Sequence, residues 1–96
     1  MDKIYVVKTF HLNKNEGFSS STDAVYPNLE NAIECVLTNA CDIAEEGYHQ
    51  YVLVGWTVFG CYPIIEELHW FLWDKYTKEY VMVPRPEFAS MWCFSL

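Results

Sequence analysis

The feature that most constrains the fold is the stretch from Lys3 to Leu12, in which apolar side chains occupy both alternating positions. One alternating set is Ile4, Val6, Phe10 and Leu12, and the other is Tyr5, Val7, Thr9 and His11. Successive side chains of a strand point to opposite faces of the sheet. The pattern therefore predicts a central strand that is covered on both faces for part of its length.

A helix is predicted from Asn28 to Gly47. Asn28 is a favourable N-cap, Glu30 lies in the first turn where the helix dipole favours a carboxylate, and Gly47 is typical of a helix C-terminus. Apolar residues recur at spacings of three and four and form one stripe: Leu29, Ala32, Ile33, Val36, Leu37, Ala40 and Ala44. This stripe predicts packing of the helix on a sheet.

The other segments predict an antiparallel sheet. The expected strands are Thr22 to Tyr26, Tyr48 to Phe59, Ile64 to Trp73 and Glu79 to Val83. A mobile loop is expected from Asn13 to Ser21, a bulge or close backbone approach at Gly55, and a single helical turn within Glu87 to Met91. We thus expect one compact α+β domain over residues 1–96, with an antiparallel β-sheet of about four to five strands and one main amphipathic helix packed on one face.

The charge balance excludes several function classes. The 96 residues carry 13 Asp+Glu against 6 Lys+Arg, for a formal net charge of -7. Binding to a phosphate backbone or an anionic membrane depends on Lys and Arg, and the only arginine is Arg85. The sequence shows neither an apolar run of roughly 20 residues nor a signal-peptide pattern after Met1. We therefore expect a cytoplasmic protein with no direct nucleic-acid or membrane binding.

No pattern predicts catalysis, a metal site or a cofactor. The cysteines are expected to be reduced thiols: Cys35, Cys41, Cys61 and Cys93. The side chains that could act as zinc ligands are His11, His49, His69 and Glu67. Glu67 is two residues from His69 on the predicted strand. However, no HxxxH, HExxH or CxxC spacing is present, so hydrogen bonding at the sheet is the favoured interpretation. No activated nucleophile or phosphate-binding glycine loop is seen, and we expect a non-enzymatic protein.

The aromatic residues of the predicted hairpin point to an association surface. Strand alternation puts Trp70 and Leu72 on one face and Phe71 and Trp73 on the other. A single helix cannot cover both sets. A second copy or a partner protein could cover the remainder, and a homodimer is the simplest form. The alternative is that the apolar tail, residues 91–96, folds over that face.

An acidic stripe gives a second surface. Glu30, Glu34 and Glu45 project from nearly the same side of the predicted helix, and aligned carboxylates can imitate phosphates toward a basic nucleic-acid-binding surface. Ordinary solvation of an exposed helix face explains the same pattern.

Three segments carry a resemblance. They are the opening Lys3-Ile4-Tyr5-Val6-Val7, the helix start Asn28-Leu29-Glu30-Asn31-Ala32-Ile33, and the turn Tyr62-Pro63 before a Trp-rich hairpin. In these the chain resembles small acidic proteins of phages and mobile elements. The resemblance implies action on the host cell, in its cytoplasm, including inhibition of defence systems such as CRISPR effectors.

The leading hypothesis is a non-enzymatic phage-type inhibitor that binds a host defence protein with a basic surface. The residues expected to bind this partner are Glu30, Glu34, Glu45, Glu66, Trp70 and Trp73. The alternative is a protein that binds or sequesters a small ligand such as a signalling nucleotide, as a dimer with aromatic side chains around the ligand. For that alternative, the few cations would have to neutralise the phosphates.

Overall fold

The computed structural model describes residues 3–13, 17–38, 49–58 and 64–89, together with Phe94. In this part of the chain, five strands form one antiparallel sheet in the order β2-β1-β3-β4-β5. The elements are β1 (Lys3–Asn13), β2 (Gly17–Tyr26), α1 (Leu29–Leu37), β3 (His49–Val58), β4 (Glu66–Asp74), β5 (Glu79–Val83) and a 3₁₀ turn (Glu87–Ala89). This architecture confirms the predicted α+β class.

β1 is an internal strand, paired with β2 on one side and with β3 on the other. Val6, Val7 and Phe10 are all 0% exposed. Val7 belongs to the hydrophobic cluster on one face of the sheet, whereas Val6 and Phe10 belong to the cluster on the other. The prediction of a strand covered on both faces is therefore confirmed.

β2 corrects the prediction of a loop from Asn13 to Ser21. The strand begins at Gly17, and its pairing with β1 runs from Asn13↔Gly17 to Tyr5↔Tyr26. The serine-rich composition suggested a loop, but β2 is an edge strand, and an edge strand can turn polar side chains to solvent while its backbone pairs on one side. The register shifts between Val7 and Lys8, where Asp23 is the extra residue of a bulge.

α1 begins as predicted and is shorter than predicted. The Asn28 side chain caps it by accepting a hydrogen bond from the Asn31 backbone N–H at 2.9 Å. The helix ends at Leu37, and the Thr38 hydroxyl donates to the Glu34 carbonyl at 2.7 Å. The predicted continuation to Gly47 falls on residues 39–48, which lie outside the described residues. No helix in the described ranges has the length and apolar character needed to cross a membrane.

One face of the sheet packs against α1. Its buried residues are Val7, Ala32, Cys35, Val36, Val52, Val54, Phe71 and Tyr80. Ala32, Cys35 and Val36 come from the helix, and their spacing of three and four places them on its inner side. Cys35 is a buried thiol, as expected, while the other three cysteines lie outside the described residues.

The opposite face is covered by the C-terminal part of the chain. Its buried residues are Val6, Phe10, Leu53, Ile65, Trp70, Ala89 and Phe94. The Phe94 ring lies 4.8 Å from that of Phe10 and 5.7 Å from that of Trp70, and the Phe94 carbonyl accepts from the Ile65 N–H at 2.8 Å. Of the two alternatives for this face, coverage by the tail is therefore observed at Phe94.

Gly55 confirms the expectation of a close backbone approach. A Cβ at this position would collide with the Ile65 side chain and the Glu66 carbonyl. The pairing of β3 with β4 shifts at the same point, from Val54↔His69 to Gly55↔Glu67. Leu68 is consequently the extra residue of a bulge. The residues on either side of it, Glu67 and His69, therefore lie on opposite faces of the sheet and not on the same face.

Candidate protein-binding surfaces

The acidic helix stripe, defined here as Glu30 and Glu34, lies on the outer side of α1. Both side chains are exposed, and they are four residues apart, which places them one turn apart on one side of the helix. Because Ala32, Cys35 and Val36 are fixed in the core, the opposite side of α1 must face solvent. The two glutamates are thus placed one turn apart on the solvent side of α1.

Leu37 continues the acidic helix stripe. It follows Glu34 by three residues and is 53% exposed, although it was predicted to belong to the buried stripe. The helix stripe therefore combines two carboxylates with one solvent-facing apolar side chain. Of the other predicted acidic residues, Glu66 is exposed at the first position of β4, and Glu45 lies outside the described residues.

Of the two predicted tryptophans, Trp70 is buried and Trp73 is partly buried. Trp70 is only 4% exposed and packs among Phe10, Phe88 and Phe94, with ring centroids 5.2 to 5.9 Å away. Trp73 is partly buried against the helix-side cluster, where its ring lies 5.1 Å from that of Tyr80. Strand alternation placed them on opposite faces correctly. Strand alternation did not show that both faces would be covered. The expectation that Trp70 is exposed is therefore wrong.

A polar cluster that sequence analysis missed joins β4 to the segment after β5. The Glu67 Oε1 atom accepts from Arg85 Nε and from Trp70 Nε1, each at 2.7 Å, and Oε2 accepts from the second guanidinium nitrogen at 3.1 Å. This two-pronged geometry holds both side chains in place. Because Glu67 and Arg85 are 18 residues apart, no local spacing in the sequence could have revealed the pair.

A cavity of about 300 Å³ adjoins this cluster. It is lined by Glu67, Leu68, His69, Trp70, Met82, Val83, Pro84 and Arg85. Leu68 and Met82 are 39% and 60% exposed, so the lining includes accessible apolar groups. The volume is at the lower limit for small-molecule sites. Arg85, the cation of this lining, already pairs with a carboxylate of the chain itself.

The structure separates Glu67 from His69, two of the residues that had suggested a zinc site. Glu67 bonds to Trp70 of the tail-covered face, whereas the ring of His69 lies 6.3 Å from that of Phe71, which is buried on the helix-covered face. The bulge at Leu68 is the reason, since it breaks the alternation that would place Glu67 and His69 on one face. Within the described ranges, no group of three or more His, Cys, Asp or Glu side chains could hold a metal ion.

Comparison of the chain with protein-family models, curated proteins and solved structures gave no match. The candidate surfaces therefore stand on the geometry of this chain alone.

Proposed function

We propose that this protein is a non-enzymatic inhibitor that binds a basic surface of another protein through the acidic helix stripe. The observation that carries the proposal is the arrangement of α1. Its inner side is fixed in the core by Ala32, Cys35 and Val36, and its outer side presents Glu30 and Glu34 to solvent. Glutamates one turn apart on a fixed helix offer two regularly spaced negative charges to lysines and arginines of a partner.

Electrostatic attraction would act mainly on the rate of encounter. At physiological salt, exposed charges that are farther apart than a Debye length of about 8 to 10 Å are largely screened from each other. Over that range the net charge of -7 adds to the attraction of the stripe for a basic partner. The proposed complex should consequently form more slowly as the salt concentration rises.

Leu37 supplies the apolar part of the proposed contact. It is 53% exposed beside Glu34, whereas Trp70, expected to be the aromatic anchor, is 4% exposed. A partner that contacts the stripe would remove Leu37 from water, which adds a short-range term to the charge attraction. The proposed binding surface therefore includes Glu30, Glu34 and Leu37, and it no longer includes Trp70.

The proposed target is a host defence protein, for example a CRISPR effector. This part of the proposal is supported by the resemblance to small acidic proteins of phages and mobile elements. Such targets bind nucleic acid through basic surfaces, and those surfaces are what aligned carboxylates would occupy.

The alternative of a nucleotide trap receives less support from the described residues. The trap needed stacking on Trp70 or Trp73, but Trp70 is in the core and Trp73 packs with Tyr80. It also needed cations for the phosphates. Lys8 is 8% exposed and Arg85 is bonded to a carboxylate, whereas Lys3, Lys75 and Lys78 are exposed.

The test reverses the charge of the stripe. The wild-type chain captures its partner from a host lysate, and the captured protein is then used in kinetic binding measurements. We expect Glu30→Lys/Glu34→Lys to slow association about tenfold or more and to leave the dissociation rate nearly unchanged. Glu87→Lys is the control, because Glu87 is exposed in the 3₁₀ turn, away from α1 in the chain.

Equal association rates for the double variant and the wild type would show that the stripe is only a solvated face. The unfolding midpoint of Glu87→Lys should equal that of the wild type, since exposed positions contribute little to stability. The double variant should unfold at a slightly lower midpoint, because Glu30→Lys puts a positive charge in the first turn of α1, where the helix dipole favours a negative one. Bound nucleotide released by denaturing the purified protein would instead favour the trap.

A further inference from the structure

The helix α1 leaves one corner of its sheet face uncovered. It starts next to Tyr26 at the end of β2, and the cluster that it covers extends to Tyr80 of β5 at the opposite end of the sheet. The helix therefore crosses the sheet diagonally. On β5, Tyr80 is 3% exposed, whereas Met82 on the same face is 60% exposed. The corner beyond the helix contains Trp56 of β3 and Glu66 of β4.

The ring of Trp56 in this corner already binds a cation of the chain itself. Trp56 is partly exposed, and the Nζ atom of Lys3 lies 4.4 Å from the centre of its ring. The electron-rich face of an indole attracts an ammonium group, and at an exposed site this attraction is weak enough to be exchanged. Lys3 is itself exposed. The position of its ammonium therefore identifies a cation as the kind of group that this ring accepts.

The exposed side chain of Glu66 adds a carboxylate beside this ring. Trp56 and Glu66 are directly opposed in the pairing of β3 with β4, so their side chains lie on one face with Cβ atoms about 4.5 to 5.5 Å apart. Among the residues that the structure describes, Glu66 forms no ion pair, either with Lys3 or with another cation. A guanidinium group fits both neighbours, because its plane stacks on an aromatic ring while its N–H groups bond to a carboxylate.

We propose that Trp56 and Glu66 bind the guanidinium group of an arginine from the partner protein, which takes the place of the Lys3 ammonium. The ring and the carboxylate determine the class of the group, and its source rests on the proposed function, since a basic surface presents arginines. The site lies close to the acidic helix stripe. Tyr26 precedes the N-cap of α1 by two residues, and Trp56 is two strands away from it in the same cross-strand row, or about 10 Å. A partner that contacts Glu30 in the first turn therefore has Trp56 within reach.

A small probe tests the site without any partner. The probe is N-acetyl-arginine amide, and N-acetyl-citrulline amide is its uncharged control of nearly the same shape. Each compound is titrated into the isotope-labelled protein while the indole N–H signal of Trp56 is followed by NMR, with Trp56→Phe used to assign that signal. We expect a saturating shift with the arginine derivative and none with the citrulline derivative. Equal shifts with the two compounds, or no shift with either, would overturn the proposal.

Two lysine variants separate displacement of Lys3 from a general effect of charge. Lys3→Met should tighten binding of the arginine derivative about twofold to fivefold, because it removes the competing ammonium. Lys75→Met is the matched control, because Lys75 is also an exposed lysine over a ring, that of Tyr76 in the turn between β4 and β5, and its loss should not change the affinity at Trp56. Glu66→Gln should weaken binding about twofold or more. Equal effects of the two lysine variants would show that Lys3 does not compete for the ring, contrary to the proposal.

The captured partner distinguishes this proposal from the proposed function. Lys3→Met should slow dissociation of the complex and Glu66→Gln should speed it, whereas charge reversal of the acidic helix stripe acts on the association rate. If the stripe variant slows association while the other two variants dissociate like the wild type, the arginine site is wrong and the proposed function stands. If Glu66→Gln speeds dissociation while the stripe variant associates like the wild type, the arginine site is supported and the proposed role of the stripe is wrong.

Discussion

On one face of the sheet, a capped helix contributes small and branched side chains to the core, whereas on the other face a segment with a single 3₁₀ turn contributes large rings. The helix contributes Ala32 and Val36, which pack against valines of the sheet. The C-terminal part contributes Phe94, which packs against Phe10 and Trp70. The two layers therefore achieve burial by different means.

The difference shows how a short segment can substitute for a helix. A helix buries one side chain every three or four residues, so it needs several turns to cover a sheet. An aromatic ring buries a large area by itself and also gains from edge contacts with other rings. The stability of the tail-covered face should accordingly depend on fewer residues, each with a larger effect.

The largest expected effect is at Phe94. Phe94→Ala should lower the free energy of unfolding by about 3 kcal/mol, since it removes a buried ring from the contacts with Phe10 and Trp70. The hydrogen bond from the Ile65 N–H to the carbonyl of residue 94 involves only backbone and should remain. Urea denaturation measures the loss, and a red shift of tryptophan emission would report exposure of Trp70.

Tyr76→Ala serves as the control for this prediction. Tyr76 is 86% exposed in the turn between β4 and β5, so its removal should change stability by less than about 0.5 kcal/mol. A similarly small loss for Phe94→Ala would mean that the C-terminal segment lies on the sheet without stabilising it.

The same difference explains which parts of the fold could be predicted. The helix start and its inner residues follow from a repeating pattern, and the bounds of β5 follow from a short apolar run between turn residues. The packing of Phe94 on the sheet follows no repeating sequence pattern. It could therefore be stated from the sequence only as one of two alternatives. β2 was missed from Gly17 to Ser21 because its side chains resemble a loop, while its strand structure comes from backbone pairing with β1.

The candidate site was predictable to a smaller extent. Helical spacing placed Glu30 and Glu34 on the exposed side of α1 correctly. The spacing of residues does not predict the bulge at Leu68. This bulge separates Glu67 from His69 and allows Glu67 to bond with Arg85. Contacts between distant residues and single-residue register shifts arise from tertiary packing, so a periodic pattern does not contain them.

A single substitution in the helix that covers the other face should have a smaller effect than one in the C-terminal segment. Val36→Ala removes two methyl groups from a side chain that is 0% exposed, and at about 0.8 kcal/mol for each group plus a cavity term the loss should be about 2 kcal/mol. Urea denaturation of Val36→Ala and Phe94→Ala under identical conditions makes the comparison. A larger loss at Val36 than at Phe94 would reverse the proposed difference between the two faces.

The smallest expected effect is at the N-cap, which only the helical layer possesses. Asn28→Ala removes the acceptor for the Asn31 N–H and should cost about 1 kcal/mol, whereas Asn28→Ser should retain most of the stability. α1 has only 9 residues, a length at which an isolated helix is marginal, so an uncapped first turn should fray and loosen Glu30. Because fraying displaces a charge without reversing it, Asn28→Ala should slow partner association less than Glu30→Lys/Glu34→Lys does. Circular dichroism during urea denaturation measures the first effect, and association kinetics measures the second. Equal destabilisation by alanine and serine would show that Asn28 acts through packing and not as a cap.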